Sequence, residues 1–290
     1  MSRLPRNKRV ANPPPMRLTA RDQEIIRAVH DYRVLRSDQL QALFFGSQST
    51  ASYRLSRLYQ HGFLDRHFLP TLGGLASSLI LYTVGKQGVQ VLREAFEVAP
   101  EEIRRRPSNK ALTASWLEHL AQINDVRVAV TLAARRQGYT LELWLDDTAL
   151  KGTYDYVTVK TSRGGSRKEP LIPDGYFVLQ TPRGHACFFL EVDRGTETTS
   201  RFKAKILAYQ AYITSGQYER QYGTRSLRVL TVVPGPKRLA NLKRVTGEAG
   251  GGRVFWFAEQ AAITPATVLD APIWQIAGNN GQFALIEPTH

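Results

Sequence analysis

Two apolar runs joined by a short turn constrain this chain more than any other feature. Ile172 to Leu179 (IPDGYFVL) and Ala186 to Asp193 (ACFFLEVD) flank Thr181-Pro182-Arg183-Gly184, whose Pro and Gly suit the second and fourth places of a type I turn. With Pro182 and Arg183 at the tip, Asp174 falls opposite Glu191, and their Cβ atoms come within about 5 Å on one face. Asp193, two residues on, points the same way. Three carboxylates on one face of an apolar hairpin repel one another. A metal ion, an arginine or a lysine has to offset that charge.

The 290 residues suffice for two domains, and a composition of 42% hydrophobic and 22% charged residues is that of a folded protein. The segment Ala99 to Lys110 (APEEIRRRPSNK), with two prolines and alternating charge blocks, reads as a linker. This gives a basic, proline-rich arm at 1–17, a first domain at 18–98, a linker at 99–112, a second domain at 113–260 and an extension at 261–290. The polar stretch Thr161 to Pro170 (TSRGGSRKEP) reads as a surface loop.

Net charge is +14, and it leans toward the N-terminal part, where residues 1–110 hold 18 Lys and Arg against 9 Asp and Glu. Such a surplus suits a polyanionic partner, because each cation set against a phosphate releases counterions. Cys187 is the sole cysteine, so no internal disulfide or thiolate pair for zinc is available, which fits a reducing cytoplasm. The first fifteen residues lack the apolar core of a signal peptide, and the apolar stretch Leu72 to Val84 is too short to cross a bilayer. A cytoplasmic protein with no membrane partner is the expectation.

Upstream of the linker the pattern is three short helices and a hairpin. Thr19 with Asp22 forms a capping pair for a helix carrying Ile25, Ile26 and Val29; Ser37 caps a second helix through Leu40, Leu43 and Phe44 that Gly46 ends; a third runs from Gln48 to His61 and stops at Gly62. Phe63 to Phe68 and Ser78 to Thr83, around Gly73-Gly74, read as two strands, and Lys86 to Phe96 as a closing helix. That is the order of a winged helix-turn-helix. With Ala51, Leu55 and Leu58 inward, the third helix presents Ser49, Thr50, Tyr53, Arg54, Arg57 and Gln60, groups that reach phosphates and base edges when such a helix lies in the major groove of duplex DNA; the wing adds Arg66 and His67. The other reading of these polar residues is a solvated helix face. The basic arm reads either as a backbone or minor-groove contact or as a disordered tail.

The second domain combines a long helix from Thr113, strands at Leu141 to Leu145 and Tyr154 to Lys160, the hairpin, a helix with Phe202, Ile206, Tyr209 and Ile213 at helical spacing, a strand at Leu227 to Val233, a helix at Lys237 to Val245 and a strand at Val254 to Phe257. This predicts an α/β (α+β) sandwich. Pro173-Asp174, then Glu191-Val192-Asp193-Arg194-Gly195-Thr196-Glu197, then Lys205 and Tyr209, behind a winged helix, resembles the replication-relaxation family of plasmid and mobile-element proteins over most of residues 18–235. The resemblance implies a restriction-endonuclease-like second domain, whose motif is Pro-Asp, a spacer, then Asp or Glu, any residue, Lys. It also implies partners among replication and transfer proteins.

Carried over, the motif would put Mg²⁺ on Asp174 and Glu191, with the carbonyl of Val192 as a further ligand, to polarise a phosphate and acidify a water. Asp193 stands where the motif has lysine, so the cation would come from Lys205, Lys203 or Arg194. Glu118 and His119 could add a ligand, or be ordinary helix surface. Two readings follow: a DNA-binding protein whose second domain keeps the fold without the chemistry, and a Mg²⁺-dependent endonuclease or nickase acting through Asp174, Glu191, Asp193 and Lys205. The missing lysine favours the first. Winged-helix proteins are often dimers, and a homodimer is the expectation by analogy.

Overall fold

The computed structural model describes residues 8–68, 80–103, 113–152, 156–160 and 165–287. By compactness the chain divides into Met1–Val128 and Ala129–His290.

In the first unit, α1 (Ala20–Asp31) begins on Thr19, whose backbone N–H donates to the Asp22 carboxylate at 2.7 Å while its hydroxyl accepts the Asp22 N–H. Ile25, Ile26 and Val29 form its fully buried stripe. Then follow β1 (Leu35–Arg36), α2 (Ser37–Phe44), α3 (Gln48–Gln60), β2 (Leu64–Phe68), β3 (Ile80–Val84) and α4 (Lys86–Phe96). The helix order and the antiparallel β2/β3 pair are those the sequence predicts, with β1 added as a third strand beside β3. The Gly73-Gly74 stretch lies outside the described residues. Ser37 is the first residue of α2 rather than its cap; there the Gln39 side chain accepts the Arg36 N–H at 2.9 Å. Ser47 caps α3, and Gly62, at φ +76°, turns the chain out of it.

One ion pair ties the helices of this unit together. Asp22 is fully buried at the start of α1, and the Arg54 guanidinium of α3 closes on it with both arms, Nε lying 2.7 Å from Oδ1. Burial alone would raise the Asp22 carboxyl, but the Arg54 and Thr19 hydrogen bonds hold it below the ordinary value.

The break between units falls inside α5 (Ala114–Gln137), not in 99–112, where the sequence placed the linker and where 104–112 lie outside the described residues. The first half of α5 explains this. Leu117, Leu120 and Ala121 cluster with Val34 and Leu81, Asn124 donates to the carbonyls of Tyr32 and Val34, and Asp125 takes Arg36 at 2.6 Å. An apolar stripe outweighs the polar stretch before it in deciding where this half of the helix belongs.

The second unit continues from α5 through β4 (Thr140–Asp146), α6 (Asp147–Gly152), β5 (Tyr156–Lys160), β6 (Ser166–Pro170), β7 (Gly175–Thr181), β8 (Gly184–Val192), α7 (Thr199–Thr214), α8 (Gln217–Tyr222), β9 (Arg228–Val233), α9 (Pro236–Glu248), β10 (Phe255–Glu259), β11 (Trp274–Ile276) and β12 (Gln282–Phe283). Its seven-stranded sheet runs β12-β11-β10-β9-β8-β7-β4; β8-β9-β10 are parallel and the other pairs antiparallel. The fold class is the expected mixed α/β. Parallel neighbours need helical crossovers, and α7 and α9 supply them. They pack Phe202, Ile206, Tyr209, Leu239 and Leu242 over Tyr176, Phe189, Val229 and Phe255 of the sheet.

Two expectations change. Ser166–Pro170 is a strand paired with β5, not loop, and Val157 and Val159 of β5 are buried in the cluster that includes α7; backbone pairing needs no apolar side chains on β6. Residues 261–290 are not a separate extension, since β11 and β12 extend the sheet beyond β10 and Trp274 is fully buried.

Replacing Asp22 by Ala strands Arg54 and removes the carboxylate half of the capping box, and should lower the stability of the first unit by about 3 kcal/mol in urea titration. Because its folded pKa is depressed, the stability Asp22 supplies is complete above about pH 4 and is lost as pH falls through the folded value. Asp22→Asn should therefore flatten that part of the acid-unfolding curve.

Candidate functional site

The polar face predicted on α3 proves to be two surfaces. At its N-terminal end Ser49 and Thr50 are exposed, and Tyr53 is 67% exposed. Further along, the guanidiniums are engaged. Arg54 holds Asp22 and donates to the Arg17 carbonyl at 2.8 Å, and Arg57 donates to the carbonyls of Pro14 and Pro15, each at 2.6 Å. Arg66 of β2 lies over the rings of Tyr59 and Tyr82, 4.4 and 5.6 Å from their centroids, and His67 meets the Thr83 hydroxyl. Ser49, Thr50 and Tyr53 are thus exposed, the two hydroxyls meeting Ser47 of the same turn, whereas Arg54, Arg57 and Arg66 are engaged with the fold.

The carboxylate cluster is assembled by the β7/β8 hairpin in the anticipated register. Thr181 faces Gly184 and Gly175 faces Leu190, with no bulge at Gly184. One step further the Asp174 N–H donates to the Leu190 carbonyl at 3.0 Å, and Asp174 Oδ2 accepts the Val192 N–H at 2.7 Å. Tyr176, Cys187 and Phe189 belong to the cluster that α7 covers, so strand alternation puts Asp174, Glu191 and Asp193 on that same face.

Each deeper carboxylate meets its own cation. Glu191 is almost fully buried; one oxygen takes Lys205 Nζ at 2.7 Å and the other the Tyr209 hydroxyl at 2.5 Å, both from α7. Lys205 reaches Glu197 at 3.5 Å as well. Burial raises the Glu191 carboxyl, with the Lys205 charge pulling it down and Asp174 pushing it up. Burial would lower Lys205, but Glu191, Glu197 and Asp174 together raise it, so it stays an ammonium. Burial and the adjacent Glu191 likewise raise Tyr209, which stays a neutral donor. Asp193 is gripped by Arg238, Nε to Oδ2 at 2.7 Å and Nη2 to Oδ1 at 2.8 Å, and Arg238 also donates to the Glu197 carbonyl.

Of the three cations considered from sequence for this role, Lys205 is the one beside Glu191; Lys203 is exposed. Arg238 was missed. Its signal is topological: β8 and β9 are parallel, Asp193 donates its N–H to the Val232 carbonyl at 2.9 Å, and α9 starts just past β9, so its first turn opens beside Asp193. Glu118 and His119 lie on the part of α5 assigned to the other unit.

Mg²⁺ demands near-octahedral oxygen donors at about 2.0–2.1 Å. As arranged, the residues do not fit it. Lys205 and Tyr209 hold both oxygens of Glu191, Val192 donates to Asp174, Arg238 holds Asp193, and among the described residues no group of three His, Cys, Asp or Glu could hold a metal ion.

Residues 26–227 match the replication-relaxation family, and the chain belongs to it. No curated protein matches. Among solved structures, restriction endonuclease FokI aligns over 84% of this chain at 11% identity with a TM-score of 0.27, and FokI bound to DNA over 83% at 11% identity with a TM-score of 0.28. The chain spans about two fifths of those proteins' length, 42% and 43%. No described helix is long and apolar enough to cross a membrane.

Removing Lys205 leaves Glu191 buried without its cation, so that it carries an uncompensated charge or must take up a proton, and either costs stability. Lys205→Ala should lower the stability of the second unit by about 2 to 3 kcal/mol, part of which Glu191→Gln restores in the double variant, while exposed Lys203→Ala stays within about 0.5 kcal/mol. Urea midpoints of the four proteins read this directly. Equal losses for Lys203 and Lys205 would rule out the buried pair as the source.

Proposed function

We propose that this chain is a duplex-DNA-binding protein of plasmid or mobile-element replication and transfer. In this reading the first unit is a winged helix-turn-helix that reads DNA from the start of α3, and the second is a nuclease-like fold kept without its metal chemistry. The observation that carries it is the open N-terminal end of α3, where Ser49, Thr50 and Tyr53 lie exposed on a helix of a strongly basic chain. Hydroxyls and an aromatic ring there are suited to phosphate oxygens, base edges and the thymine methyl. Family membership supports the biological setting and partners from the same replication or transfer machinery.

The second reading is a Mg²⁺-dependent endonuclease or nickase using Asp174 and Glu191. Lys205 favours it, because it brings to Glu191 the positive charge that position 193 lacks. Against it stands the engagement of Glu191: Lys205 and Tyr209 would both have to yield an oxygen before a metal could bind.

Mobility shift on duplex DNA and nicking of supercoiled plasmid with Mg²⁺ or Mn²⁺ separate the two. Wild type should shift duplex, and Tyr53→Ala should weaken the shift about fivefold without a change in folding. The plasmid should stay supercoiled. Metal-dependent nicking, abolished in Asp174→Ala and Glu191→Ala with the shift intact, would make the second reading correct.

A further inference from the structure

The arm ahead of α1 runs along the C-terminal half of α3 and takes up its donors one after another. Arg54 reaches the Arg17 carbonyl, Arg57 those of Pro14 and Pro15, His61 Nε2 that of Pro14 at 2.9 Å, and Gln60 that of Lys8 at 3.5 Å while accepting the Val10 N–H at 2.8 Å. The far end is pinned by Arg9, which donates to the carbonyls of Tyr59 and Leu64, pairs with Asp65 at 2.7 Å and lies over the Tyr59 ring.

The chemistry of the match is specific. Pro13, Pro14 and Pro15 have no N–H, so this stretch offers acceptors alone to its neighbours. Arg57 and His61 supply donors. Carbonyl oxygens here occupy the groups that would otherwise be set against phosphate oxygens, the other abundant acceptor such a surface meets.

We propose that residues 8–17 are a built-in competitor of DNA, an autoinhibitory strap that screens Arg57 and His61 until the arm is displaced. The proposal rests on the DNA-binding reading above and adds regulation to it. Residues 1–15 carry Arg3, Arg6, Lys8 and Arg9 and no acidic group, so their removal should weaken DNA binding on charge grounds. The strap predicts the opposite sign.

The test compares the full chain, a form lacking residues 1–15, and Arg9→Ala in the full chain, by fluorescence anisotropy on a random-sequence duplex at fixed salt, with thermal melts as the folding control. The truncated form should bind about fivefold more tightly, Arg9→Ala should gain in the same direction, and Arg57→Ala should matter little in the full chain yet remove most of the gain in the truncated one. A peptide of residues 1–17 added to the truncated form should lower its affinity again. Weaker or unchanged binding on truncation, or an Arg57→Ala effect equal in both backgrounds, would overturn the strap and leave the DNA reading standing. Should the truncated form not fold, Arg9→Ala decides alone, and no gain there counts against the strap. Folded proteins that never bind duplex would end the DNA reading, and the strap with it.

Discussion

The placement of Glu191 governs the second unit. A carboxylate at the end of a central parallel strand, facing a helix-covered apolar layer, is tolerable only if that helix brings a cation and a donor to it. Lys205 and Tyr209, one helical turn apart on α7, do so. Their reach fixes how α7 lies over β8, and α7 in turn covers Val157 and Val159 of the β5/β6 ribbon. Arg238 repeats the device at Asp193 and anchors the first turn of α9. The same interactions that make the crossovers unique also spend the oxygen donors a metal would need.

The first unit obeys the same rule at smaller scale. Asp22 is the acid of the α1 capping box, a buried charge and the partner of Arg54 on α3. Arg54 is therefore more an internal brace than a surface contact. An arginine on the polar face of a helical wheel can end up bound to its own fold when an acid lies within reach, and Arg57 and Arg66 follow the pattern with carbonyls and aromatic rings as partners.

The legible parts of the sequence were those in which periodicity and turn chemistry agree. The Thr19 cap with its Ile25, Ile26 and Val29 stripe, the extent of α4 and the hairpin register all follow from local rules, and with the register came the shared face of Asp174, Glu191 and Asp193. Lys205 was legible as one of several candidates, since it flanks the apolar stripe of Phe202, Ile206, Tyr209 and Ile213. Arg238 was not, because its approach to Asp193 depends on parallel pairing of β8 with β9, a contact no local pattern encodes. The same holds for the allegiance of α5, decided by Asn124 and Asp125 bonding residues about ninety positions away, and for β6, whose side chains carry no strand signature.

The two margins of the large sheet have a bearing on how copies of this chain can meet. One margin is β12, two residues long and paired antiparallel with β11; the other is β4, whose register shifts between Leu141 and Leu143. A strand so short, and one so kinked, offer poor templates for a neighbouring chain to extend the ladder. β11 also lies along β10, the last of the parallel strands, with β12 outside it, so the long apolar rows of the interior stop short of that margin. Edge-to-edge growth, the route to open-ended polymers, is thereby disfavoured at both margins of this sheet.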